Sequence, residues 1–143
     1  MTVASILNQK GRDVVTERAG TSLREICSIL GTRRIGAIVI TGQDGKIEGI
    51  ISERDVVRAI SQHGVDALDR PVSDFMTASV VTCEPQETVN SVMARMTGGR
   101  FRHVPVVQDG KLAGLISIGD AVKHRMAQIE REAEDMRNYI AMT

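Results

Sequence analysis

One seven-residue pattern occurs twice in this chain, and its duplication constrains the fold more than any other feature. Residues 49–58 read GIISERDVVR and residues 114–123 read GLISIGDAVK, so Gly-x-x-Ser-x-x-Asp recurs with an apolar pattern after it. Self-similarity of this kind marks a repeated supersecondary unit. The correspondence continues upstream. Leu23, Ile26, Cys27 and Leu30 have the spacing of one helix face, and Val89, Val92, Met93 and Met96 repeat it. The offset is 66 over these residues and 65 from Gly49 to Gly114, because the first copy has one extra residue in its turn, TGQDGK against VQDGK.

Each copy reads β-α-β-β-α. A short strand (DVVTE, SVVTC) precedes the amphipathic helix, and two apolar strands follow it, GAIVI and KIEGIIS or HVPVV and KLAGLIS. Asp-Gly between the strands predicts a hairpin. The Ser stands at a strand end, and the Asp opens a second helix, DVVRAI or DAVKHRM. Upstream, VSDFM at Val72 echoes VASIL at Val3, and SQHGVDALDRP links the copies. One copy, at about 60 residues, buries too little surface to be stable alone. The expectation is an α+β fold of two copies packed pseudo-symmetrically, sheet to sheet, around one shared core.

With both motifs in register, and with RHVPVV and DGKLAGLIS beside them, the chain resembles a tandem of cystathionine-β-synthase (CBS) domains, the Bateman module. The resemblance covers about residues 3–127. It implies a first repeat over residues 1–65, a second over 72–127, and a helical extension over 128–143. The first copy departs from the pattern at Val39, where the second has Pro105.

The motif allows two compatible readings. Asp55 and Asp120 suit helix N-caps, with Ser52 and Ser117 closing a turn. Alternatively, a carboxylate with two acceptor oxygens can hold the two hydroxyls of a ribose. In the resembled family these positions hold the ribose of an adenosine ligand, in sites shared between repeats. The resemblance implies one site at Ser117, Asp120 and Leu115 with Arg102 and His103, based on Val15, Ile35, Gly36 and Ala37. The other is Ser52, Asp55, Ile50 and Arg54 with Val81, Thr82, Phe101 and Arg102. Gly36 would let a ligand approach the backbone. Arg102-His103 suits a phosphate, and the first copy has Gly36-Ala37 at that place. A phosphorylated ligand is therefore expected nearer Asp120. The implied ligand is AMP, with ADP, ATP, NAD(H) and S-adenosylmethionine sharing its adenosyl group.

Composition excludes other classes. The formal net charge is zero and aromatics are 2%, which gives neither a basic surface for a polyanion nor a stacking platform for nucleic acid. No apolar run spans a bilayer, and the start lacks a signal-peptide pattern, so a cytoplasmic protein is expected. Cys27 and Cys83 read as buried apolar thiols. The sequence holds no phosphate loop, no nucleophile elbow, and no metal spacing among His63, His103 and His124, so no catalytic or metal residue is assigned. Val122, Met126, Ile129, Ala133, Met136 and Ile140 form a heptad stripe on a helix from about Asp120 to Ala141. That helix either folds onto its own module or meets its twin in a homodimer. The expected function is a non-enzymatic nucleotide sensor acting on a protein partner in trans. The alternatives are a scaffold with vestigial clefts and a nucleotide-processing enzyme.

Overall fold

The computed structural model describes residues 1–142. In chain order it contains α1 (Val3–Lys10), β1 (Thr16–Glu17), α2 (Leu23–Arg33), β2 (Ala37–Thr41), β3 (Ile47–Ser52) and α3 (Glu53–His63). Two 3₁₀ turns follow, Gly64–Asp69 and Val72–Asp74. Then come α4 (Val89–Gly99), β4 (His103–Gln108), β5 (Lys111–Ser117) and α5 (Ile118–Met142).

The two copies form two small sheets. In the first, β1 runs parallel to β2 and β2 antiparallel to β3, in the order β1-β2-β3, with Ala37 opposite Ser52. In the second, β4 and β5 pair antiparallel, with His103 opposite Ser117. The strand expected over residues 79–83 narrows to one parallel bridge, Cys83 to Val106. Pro105 explains the loss. The Val39 N–H donates to the Val15 carbonyl at 3.2 Å, tying β1 to β2. Pro105 stands at the matching place and has no N–H to give.

The helices begin and end alike in both copies. Ser22 Oγ accepts from Glu25 N at the start of α2, and Thr88 Oγ1 accepts from Ser91 N at the start of α4. Both helices stop at an arginine in the left-handed region, Arg34 at φ 54° and Arg100 at φ 59°.

Buried side chains fall into two clusters instead of the single shared core that the repeat suggested. Leu23, Ile26, Ile38, Ile40 and Ile51 build one; Val89, Val92, Met96, Val104, Val106 and Ile116 build the other. The segment before each copy packs into the opposite cluster. Val3, Ile6 and Leu7 of α1 join the second, and Ala67 and Val72 join the first. The exchange is reciprocal down to single bonds. Val3 N donates to Glu87 O at 2.9 Å, and Val72 N donates to Thr21 O at 2.8 Å. The glycine of the duplicated motif makes room for it. A Cβ on Gly114 would lie 2.6 Å from Leu7 Cδ2, and one on Gly49 would lie 2.5 Å from Met76 Sδ. Strand β2 is buried on both faces: Ile38 and Ile40 enter the first cluster, while Ala37 and Val39 alternate to the other face and are buried too.

Candidate functional site

The Ser and Asp of the motif form a reciprocal cap whose roles are the reverse of the expected ones. Ser52 is the N-cap of α3, and Asp55 is its third helical residue. Asp55 N donates to Ser52 Oγ at 3.3 Å, and Ser52 N donates to Asp55 Oδ2 at 2.9 Å. Ser117 and Asp120 repeat this at α5, with Asp120 N to Ser117 Oγ at 3.0 Å and Ser117 N to Asp120 Oδ2 at 2.9 Å. The carboxylate reaches back one turn, so each helix starts two residues before its Asp. The cap thereby uses Oδ2 of each carboxylate and leaves Oδ1 outside it.

Above Asp55 lies a cavity of about 310 Å³. The first copy contributes Gly36, Ile50, Ser52, Glu53, Arg54, Asp55 and Arg58. The second contributes Gly99, Arg100, Phe101, Arg102 and His103, and the connecting segment Thr77, Ser79, Val80 and Val81. Among the described residues, the backbone N–H groups of Ser79, Val80 and Val81 have no acceptor. The missing Pro105 N–H is one reason this edge stays open. A second cavity of about 200 Å³ shares Arg54, Arg100, Phe101 and Arg102.

Four guanidinium groups, from Arg54, Arg58, Arg100 and Arg102, face two carboxylates, Glu53 and Asp55. Arg58 leans on Asp55 Oδ1 at 3.5 Å. Among the described residues, Arg54, Arg100 and Arg102 make no ion pair. They form a planar-donor cluster suited to an anion.

The structure distributes the expected residues unevenly. It gathers Ser52, Asp55, Ile50, Arg54, Val81, Phe101 and Arg102 around one cavity. Thr82 does not line it; its carbonyl accepts from Arg95 Nη1 at 2.9 Å. Arg102 and His103, expected beside Asp120, line the Asp55 cavity together with Gly36. His103 pairs with Ser117 along the sheet, yet its ring turns toward the first copy. A Cβ on Gly36 would lie 3.0 Å from His103 Nε2, so the imidazole occupies the room that Gly36 was expected to leave for a ligand. Burial holds the His103 pKa below its ordinary value; Asp120 and Glu53 raise it, while Lys10 and Arg102 lower it further. A lowered pKa leaves His103 less able to carry the charge expected of it.

The residues expected around Asp120 are dispersed. Val15 lines a separate surface cavity with Asp13 and Arg33. Ile35 packs on the first cluster, and Ala37 is buried opposite Ser52. The Leu115 carbonyl accepts from Lys10 Nζ at 2.8 Å. Lys10 also sits 2.6 Å from Asp120 Oδ2. Burial raises the Asp120 pKa, but the bonds from Lys10 and Ser117 outweigh it and leave the group below its ordinary value.

Arg58 and Arg100 were not singled out from sequence. Arg58 is one helical turn beyond Asp55, and Arg100 follows Gly98-Gly99, so local signals existed. Lys10 had none. Among the described residues no three His, Cys, Asp or Glu side chains cluster as a metal site, and no helix is long and apolar enough to cross a membrane.

The CBS domain model matches residues 3–62 and 72–127. A CBS-domain-containing protein of Agrobacterium tumefaciens is 48% identical, with a TM-score of 0.85 over 87% of this chain and 92% of that one. The CBS domain pair of protein MJ0100, in complex with 5′-methylthioadenosine and S-adenosylmethionine, is 26% identical, with a TM-score of 0.80 over 90% and 98%. A CBS domain protein of Pyrobaculum aerophilum complexed with AMP is 28% identical, with a TM-score of 0.75 over 84% and 89%. Against curated proteins of Arabidopsis thaliana, the chain spans from 21% to 53% of the relative's length. Family match, sheet order and duplicated cap agree: this chain belongs to the CBS domain family, as a tandem pair.

Proposed function

We propose that this chain is a non-enzymatic sensor of adenosyl nucleotides, AMP first among them, which binds in the cavity above Asp55 and signals to a protein partner in trans. The observation that carries this reading is the meeting of Ser52 and Asp55 with Arg54, Arg100 and Arg102 around one volume of about 310 Å³. That size lies in the range of small-molecule sites. Asp55 Oδ1, which lies outside the cap and meets only the exposed Arg58 at 3.5 Å, takes the ribose, the open edge at residues 79–81 takes the adenine, and Arg54, Arg100 and Arg102 take the phosphate. The bound AMP and S-adenosylmethionine of the similar structures support an adenosyl ligand. The arginines favour AMP, ADP or ATP over S-adenosylmethionine, whose sulfonium would meet like charge. Further phosphates of ADP or ATP extend toward the adjoining cavity, and NAD(H) shares the same handle.

The ligand would touch both copies at once, so its affinity depends on how they sit together. That dependence is what lets binding shift a conformation for a partner to read. The chain acts as a cytoplasmic homodimer. Its two cysteines are free, and along α5 Val122, Met126, Ile129 and Met136 are exposed. In a parallel pair of α5 helices these side chains meet, with Arg125 opposite Glu130 and Glu132 opposite Arg137 at flanking positions.

Calorimetry tests the site. Wild type should bind AMP more tightly than GMP, and Asp55→Ala should weaken AMP by about tenfold or more, since a hydrogen bond to a charged group is worth roughly 1.5–3 kcal/mol. Unchanged affinity in Asp55→Ala sinks the assignment. Absence of any binding favours the scaffold, and product formation favours the enzyme.

A further inference from the structure

We infer that Lys10 closes the second cleft from inside, so that each chain takes one nucleotide and not two. This rests on the nucleotide reading above and deepens it. The segment that leads into each copy differs in length between the two. Ten residues lead from Leu7, packed on Gly114, to Glu17, paired with Ile40. Seven lead from Met76, packed on Gly49, to Cys83, bridged to the matching Val106. The first copy therefore carries an extra helical turn at the end of α1, and Lys10 is its last residue.

Each cleft shows what that turn changes. Above Asp55, Thr77 N donates to the Ile50 carbonyl at 2.9 Å, and the chain passes on with the cavity open. At the matching place beside Asp120, Lys10 Nζ donates to the Leu115 carbonyl at 2.8 Å and to Asp120 Oδ2 at 2.6 Å. The ammonium thus neutralises the carboxylate that a ribose would need, from the Oδ2 side that Ser117 N also holds. The anion-binding charge is missing as well: Gly119 and Gly36 stand where the Asp55 cavity has Arg54 and Arg102. Lys10 and Asp120 are 36% and 25% exposed, so the pair is partly shielded from water.

Calorimetric titration of the full chain with AMP counts the sites. Wild type should show one per chain. Lys10→Ser should show two, the new one tighter by about tenfold or more than any residual binding at Asp120, as expected when one charge-assisted bond no longer has to be displaced. Lys10→Met keeps the length of the side chain without its charge, guards against a loosened α1, and should also gain the site. Adding Asp55→Ala to Lys10→Ser should leave the new site alone. Two sites in wild type, or one in both Lys10 variants, overturns the closure and leaves the nucleotide reading standing. No site in wild type with one in Lys10→Ser supports the closure and overturns the Asp55 assignment. No site in any form overturns both.

Discussion

Leu7 lies in the space that a side chain on Gly114 would require: a Cβ there would be 2.6 Å from Cδ2 and 3.0 Å from Cδ1. The two residues are 107 positions apart, and their contact closes the exchange by which α1 completes the second core. Leu7→Ala should cost about 2–5 kcal/mol by leaving a cavity. Gly114→Ala should cost about 1–3 kcal/mol by overpacking. The double variant should be more stable than the sum of the two changes, because the alanines relieve each other. Urea denaturation of the four proteins measures this, and strict additivity would refute the contact.

Arg102 carries phosphate charge without touching adenine or ribose in the proposed pose. Arg102→Ala should therefore weaken AMP by about tenfold, the worth of one charge-assisted hydrogen bond, and leave adenosine affinity unchanged. Equal losses for both ligands would mean that Arg102 shapes the cavity instead of neutralising the ligand.

Stability should respond to pH through His103 and Asp120 in separate windows. The His103 pKa is lowered on folding, chiefly by burial. Below about pH 6.5 the unfolded imidazole takes a proton more readily than the folded one, so stability falls as pH drops through that range. His103→Gln should flatten this slope in thermal melts. The Asp120 pKa, also lowered on folding, acts further down: its contribution is intact above the ordinary carboxylate range and is lost as pH falls through the folded value. Lys10→Ser should shrink that second loss. A melting curve indifferent to both substitutions would contradict these environments.

The exposed stripe on α5 predicts a mass near twice 15.5 kDa by light scattering at micromolar concentration. Truncation after Arg125 should reduce it to a monomer. A truncated chain that remains dimeric would move the interface to other faces, and a monomeric full chain would remove it.

Burial raises the Cys83 thiol pKa to about 11, with Arg95 lowering it by less. Cys83 should resist thiol reagents at pH 8 until the chain unfolds, because the thiolate is the reactive form. Prompt modification of both cysteines in the native protein would contradict the packing of Cys83 in the second cluster.

Local pattern determined much of this protein. The apolar spacing of Leu23, Ile26 and Leu30 places α2, and alternation with Asp-Gly places both hairpins, because helix and strand periodicities are set by neighbours within a few residues. The duplicated motif located both caps and named Ser52 and Asp55. Tertiary structure alone decided the rest. The Gly49 and Gly114 contacts with Met76 and Leu7, the turn of the His103 ring toward Gly36, and the bond from Lys10 to Asp120 each depend on how two distant segments meet. No periodicity encodes such meetings. They follow from volume and charge at contacts that exist only after the two copies have exchanged their leading segments, and they are what make two nearly identical clefts unequal.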